Sequence, residues 1–72
     1  MYREDMMKII EKICSKYGPL EIKKAHKELK QYFGRRWVGA KPVDGTCFDY
    51  TLVDDDNDFV IIRYDFWYRT IE

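Results

Sequence analysis

The chain has one histidine, two cysteines and two prolines, and Ser15 is its only serine. That scarcity removes most catalytic constellations. A nucleophile, its base and an orienting group must all be supplied, and here only His26 with Cys14 or Cys47 offers a start. A zinc site wants four ligands at short spacings such as Cys-x-x-Cys, and no such spacing occurs. Two cysteines are too few for a disulfide scaffold. No Gly-rich phosphate loop is present. No apolar run approaches the ~20 residues of a membrane-spanning helix. The first ten residues, MYREDMMKII, mix Arg3, Glu4, Asp5 and Lys8 among the apolar positions, unlike a secretory signal. These absences predict a cytoplasmic, non-enzymatic protein with no cofactor, no metal and no membrane partner.

What is present is enough to fold. The 72 residues are 46% hydrophobic and 17% aromatic, so apolar burial can offset the entropy of ordering. The length allows one domain, residues 1–72, with a helical half at 3–33 and a sheet half at 36–70. Net charge is zero but segregated: residues 1–41 hold eleven Lys/Arg against five Asp/Glu, and residues 42–72 hold two against eight.

Met6, Ile9, Ile10, Ile13, Cys14 and Tyr17 recur at helical spacing, with Gly18-Pro19 as the expected stop. Ile22, Ala25, His26, Leu29, Tyr32 and Phe33 repeat the pattern, and Gly34 ends it. Then the period changes to two. Phe48, Tyr50 and Leu52 alternate with Cys47, Asp49, Thr51 and Val53, and Val60, Ile62, Tyr64, Phe66 and Tyr68 alternate with Phe59, Ile61, Arg63, Asp65, Trp67 and Arg69. These predict a hairpin of two strands, the second running to residue 69, with Arg36–Ala40 a weaker strand before them. The fold class is α+β, in the order α-α-β-β-β, with two helices on one face of an antiparallel meander.

Opposed residues share a face, so the apolar faces coincide when Val53 opposes Phe59. That register also sets Asp49 opposite Arg63, an attractive pair, where a two-residue slip would oppose Asp49 to Asp65. The helices are expected over Phe48, Tyr50, Leu52, Val60, Ile62, Tyr64 and Phe66.

The other face then carries Phe59, Ile61, Arg63, Trp67 and Arg69. Trp and Arg are favoured at interaction hot spots, so this open face is the leading candidate to bind a protein partner or a second copy of the chain. A regulator or inhibitor of a larger assembly would have this character. The alternative is a nucleic-acid accessory protein. Lys23, Lys24, Lys27 and Lys30 on helix two, with Arg35, Arg36 and an exposed Trp37, would supply phosphate contact and base stacking. Asp54, Asp56 and Asp58 have the 1-3-5 spacing of a calcium loop with Asp65 at position 12. Phe59 stands where such a loop needs Gly, and the flanks read as strands. The pentad Asp54–Asp58 is therefore expected to be a hairpin turn. Cys14 lies on a core stripe, Cys47 falls on the open face where it could react, and His26 is expected at the rim of the core.

Overall fold

A computed structural model describes all 72 residues. Helix α1 spans Arg3–Cys14 and buries Met6, Ile10, Ile13 and Cys14, the stripe set by its 3.6-residue period. It stops four residues before Gly18. Ser15 turns its hydroxyl onto the Lys12 carbonyl at 2.9 Å, the local side-chain bond with which serine competes against helix continuation. Pro19 opens a 3-10 turn, Pro19–Glu21, that leads into α2, Ile22–Phe33. Helix α2 buries Ala25, Leu29 and Phe33.

Gly34 ends α2 with φ of 55° and ψ of −122°, a conformation that side-chain-bearing residues rarely adopt. Gly34→Ala is expected to cost about 1–3 kcal/mol, read as a lower urea midpoint with unchanged slope.

The sheet is antiparallel in the order β1-β2-β3-β4. Strand β1 is Trp37–Pro42, β2 Cys47–Val53, β3 Phe59–Asp65 and β4 Thr70–Ile71. The expected register holds throughout the central hairpin: Val53 opposes Phe59, Tyr50 opposes Ile62 and Asp49 opposes Arg63. Its five-residue connection is a true turn. Oδ1 of Asp54 accepts the N–H groups of Asp56 (2.8 Å) and Asp58 (3.0 Å), and Asn57 takes φ of 64°, which asparagine tolerates.

The second strand is shorter than its alternation predicts. It ends at Asp65, whose Oδ1 accepts the N–H of Trp67 at 2.8 Å and of Tyr68 at 3.2 Å. Those bonds take the place of ladder bonds. Arg69 then adopts φ of 57°, and the chain doubles back as β4 to pair Ile71 with Tyr64 and Thr70 with Asp65. The meander therefore has four strands, not three.

Both helices cover one face of the sheet. The core cluster joins Met6, Ile10, Ile13, Cys14, Ala25, Leu29 and Phe33 to Tyr50, Leu52, Val60, Ile62, Tyr64 and Phe66. At its centre is Tyr50, with no exposed surface. Its hydroxyl lies 2.9 Å from Nε2 of His26 and 4.0 Å from Sγ of Cys14. Burial pushes the Tyr50 phenol well above its ordinary pKa, so the hydroxyl keeps its proton.

His26 is half-buried, edge-on to Phe48 with ring centroids 4.6 Å apart. Burial lowers its pKa below the ordinary 6.5. A pKa lower in the folded than in the unfolded chain means that unfolding takes up a proton. Stability is therefore expected to be flat above about pH 7 and to fall as the pH drops below 6.5. The carboxylates held low, such as Asp49 and Asp55, act only below about pH 5. Urea melts between pH 5 and 7 isolate the histidine. The slope should vanish in His26→Asn, and an NMR titration of this single histidine should give a midpoint under 6.5.

Candidate interaction surface

The face away from the helices is built from alternate residues of three strands. Successive rows across it are Val53 with Phe59, Gly39 with Thr51 and Ile61, Lys41 with Asp49 and Arg63, and Cys47 with Asp65. No element covers it. Phe59 is 71% exposed and Ile61 55% exposed. Val38, in the bulge between Trp37 and Gly39, is 54% exposed. Neighbours Ile61 and Ile62 thus show the two faces of one strand, since Ile62 is buried.

Arg63 is held in place. Its Nε donates to one oxygen of Asp49 at 2.8 Å and its terminal nitrogen to the other at 3.2 Å. This two-pronged pair holds the Asp49 carboxyl below the usual carboxylate range. The outer edge of β3 is closed by Arg3, whose guanidinium donates to the Ile61 carbonyl at 2.7 Å and also to the Glu72 carbonyl. The outer edge of β1 has no strand beside it. Its bulge, Lys41 and Pro42 are features that discourage edge pairing.

The structure divides the five partner-binding candidates. Phe59, Ile61 and Arg63 lie together on the open face. Trp67 and Arg69 do not, because β3 has ended and both sit in the turn that follows. That turn is pinned by Asp65 and by a bond from Arg69 to the Ser15 carbonyl at 2.9 Å. It presents Trp67 and the unforeseen Tyr68, 67% and 74% exposed. The signal for it was Asp65 itself, since aspartate readily bonds the backbone two residues on.

The basic set is divided as well. Lys23, Lys24, Lys27, Lys30 and Arg35 are exposed, and of these only Lys24 has an ion-pair partner, Glu21 at 3.5 Å. Arg36 instead pairs with Asp55 at 2.5 Å and reaches the Val53 carbonyl. Trp37 is not the exposed stacking surface expected of it. It is half-buried against Phe33 and Tyr50, with ring centroids 6.5 and 5.4 Å away. Its place in the core-facing row, opposite Leu52, put it there.

Cys47 is a second correction. It shares the open face by register, yet its neighbours leave it buried. Burial, then the Asp65 and Asp44 carboxylates, raise its pKa, which disfavours the reactive thiolate. Cys14 is fully buried and its thiol is pushed up to about 12. The carboxylates of Asp54, Asp56 and Asp58 do converge. Asp65, the twelfth position of the calcium-loop spacing, lies at the far end of β3 and is spent on the Trp67 turn, so the twelve-residue loop does not form. Comparison with protein-family models, curated proteins and solved structures gives no match to this chain.

Proposed function

We propose that this chain is a small non-enzymatic interaction module, a regulator or inhibitor that acts by docking through the open face of its sheet. The observation that carries this is the pair Phe59 and Ile61, large apolar side chains exposed in adjacent rows of a rigid strand, with Arg63 fixed beside them. Exposed apolar patches rimmed by polar residues are the kind of surface that binds partners. A sheet holds such side chains at little entropic cost on binding. The absence of enzymatic activity is supported by the burial of both thiols and the commitment of the one imidazole to Tyr50. Cytoplasmic residence belongs to the same proposal, since Cys14 and Cys47 are unpaired thiols, the state a reducing compartment maintains.

The test is affinity capture from extract of the source organism on immobilised wild type, Ile61→Asp and Lys27→Glu/Lys30→Glu chains, read by mass spectrometry. The expected partner is retained by the first and third and lost from the second. Identical retention on wild type and Ile61→Asp would remove the face from consideration. The exposed Lys23, Lys27, Lys30 and Arg35 keep nucleic acid as the second arm. Anisotropy with mixed-sequence DNA and RNA, single-stranded and duplex, should show no binding at low salt. Tight binding with a steep salt slope would move the function to helix α2.

A further inference from the structure

We propose that the groove between the two helices docks a third helix, an amphipathic and acidic one supplied by a partner protein. This site is separate from the open sheet face and does not depend on it.

The helical period builds the groove. Ile9 and Ile13 stand one turn apart on α1, and Glu28 and Tyr32 one turn apart on α2. All four line one hollow of about 250 Å³, together with Lys12 and Lys16, and no strand residue lines it. The two helices run in opposite directions along it. Lys16, just past the end of α1, pairs with Glu28, while Ile9, two turns earlier, shares the hollow with Tyr32, one turn later. Tyr32 is 57% exposed, and its ring stands edge-on to Phe33 with centroids 5.3 Å apart. That wall is ordered before anything binds.

Size and shape select the occupant. Small-molecule sites usually enclose roughly 300–1,000 Å³. This hollow is smaller, the size for anchoring side chains of a larger partner. A channel between two helices presents side chains at i and i+4, and the ridge of another helix has the same spacing. An apolar pair at i and i+4 on a docked helix would lie over Ile9, Ile13 and Tyr32, the helix-in-groove mode of recognition.

Charge selects its flanks. Glu28 is the only carboxylate in the lining, and it is taken up by Lys16 and by the Tyr17 hydroxyl, which donates to it at 2.6 Å. Lys12 has no ion-pair partner, nor has Lys8 one turn before it. Acidic flanks would therefore meet uncompensated positive charge along α1, and basic flanks would be repelled. A nucleic-acid backbone would use the lysines but leave Ile9 and Ile13 uncovered.

The test is an NMR titration of the full ¹⁵N-labelled chain with a synthetic helix of about 18 residues, or five turns. The peptide carries Leu at i and i+4 along one face and Glu on both flanks. A control peptide has Lys in place of every Glu. On titration to about 1 mM, where even weak contacts register, the Glu peptide should shift the amides of α1 and α2 around Ile9, Ile13 and Tyr32. The Lys peptide should bind at least about 10-fold more weakly. Lys12→Glu, at an exposed and unpaired position, should weaken the Glu peptide by about 10-fold with the circular dichroism unchanged. Tyr32→Ala should weaken it by about 5-fold. Ile61→Asp should leave it unaltered, which keeps this result distinct from the fate of the sheet face. Absence of shifts, shifts confined to the sheet, or equal binding of the two peptides would overturn the proposal. Binding of the Glu peptide that is indifferent to Tyr32→Ala would reduce it to charge attraction alone and overturn the groove.

Discussion

Ile62→Asp abolishes the folded state, and Ile61→Asp leaves it intact: that is the expected outcome of moving one substitution by one residue. Ile62 is fully buried beneath the helices, opposite Tyr50. A carboxylate there loses the transfer and cavity energy of the isoleucine, about 2–5 kcal/mol for a large truncation. It also incurs a desolvation penalty of several kcal/mol as an ion, or must be protonated to avoid it. A domain of this length has about 4–11 kcal/mol in total, at ~0.05–0.15 kcal/mol per residue. The expected result is an unfolded or aggregated chain. At Ile61 the side chain projects from the open face, and the bond from Arg3 is to the backbone carbonyl, so it survives the change. The cost there should stay within about 1 kcal/mol. Near-ultraviolet circular dichroism and urea melts of the two variants decide it. Similar unfolding of both would mean that the second face of the sheet is also structural, and the docking proposal would lose its basis.

Tyr50→Ala is expected to destabilise the domain by about 3–5 kcal/mol, the range for truncating a buried aromatic. At about 4–8 °C per kcal/mol for a domain of this size, the melting temperature should fall by roughly 12–40 °C. The size of the effect comes from position. Tyr50 has no exposed surface and packs its ring against Trp37, Phe48 and His26. Tyr50→Phe separates the packing from the hydrogen bond. It keeps the ring and removes the contact to His26 Nε2, for an expected cost of about 1 kcal/mol. A drop under 2 kcal/mol for Tyr50→Ala, read from chemical melts with an unchanged slope, would show that the core closes around the missing ring. In that case Tyr50 is not the keystone that its burial indicates.

The two residues that organise these predictions differ in how visible they were. Ile61 and Ile62 are chemically identical, and alternation alone assigned them to opposite faces. The α+β class, the helix spans within a few residues, the hairpin register and the apolar face of the sheet were legible for the same reason. They depend on period and on near-neighbour pairing, which are local properties of the chain. The Asp49–Arg63 pair belongs with them, since choosing between two registers needed only the sign of two charges.

Where the chain turned was less legible. The alternation continues through Tyr68 and Arg69, yet the strand stops at Asp65 because one carboxylate oxygen captures two backbone N–H groups. Trp67 and Arg69 consequently left the face on which their spacing had placed them. Trp37 was judged by its basic neighbours Arg35 and Arg36, but a single cross-strand partner, Leu52, decided that its ring would pack on the core. Cys47 lay on the open face as expected, and its neighbours closed over it.

The sequence by itself determined the two helices, the central hairpin and its pairing, and which residues form the core, because hydrophobic periodicity and turn chemistry act over a few residues at a time. Tertiary structure alone decided that a fourth strand forms, that Arg36 is spent on Asp55, and that His26 and Cys14 meet at Tyr50. Those outcomes depend on where separate elements meet, as Tyr64 with Ile71, Arg36 with Asp55 and His26 with Tyr50, and no local period encodes such meetings.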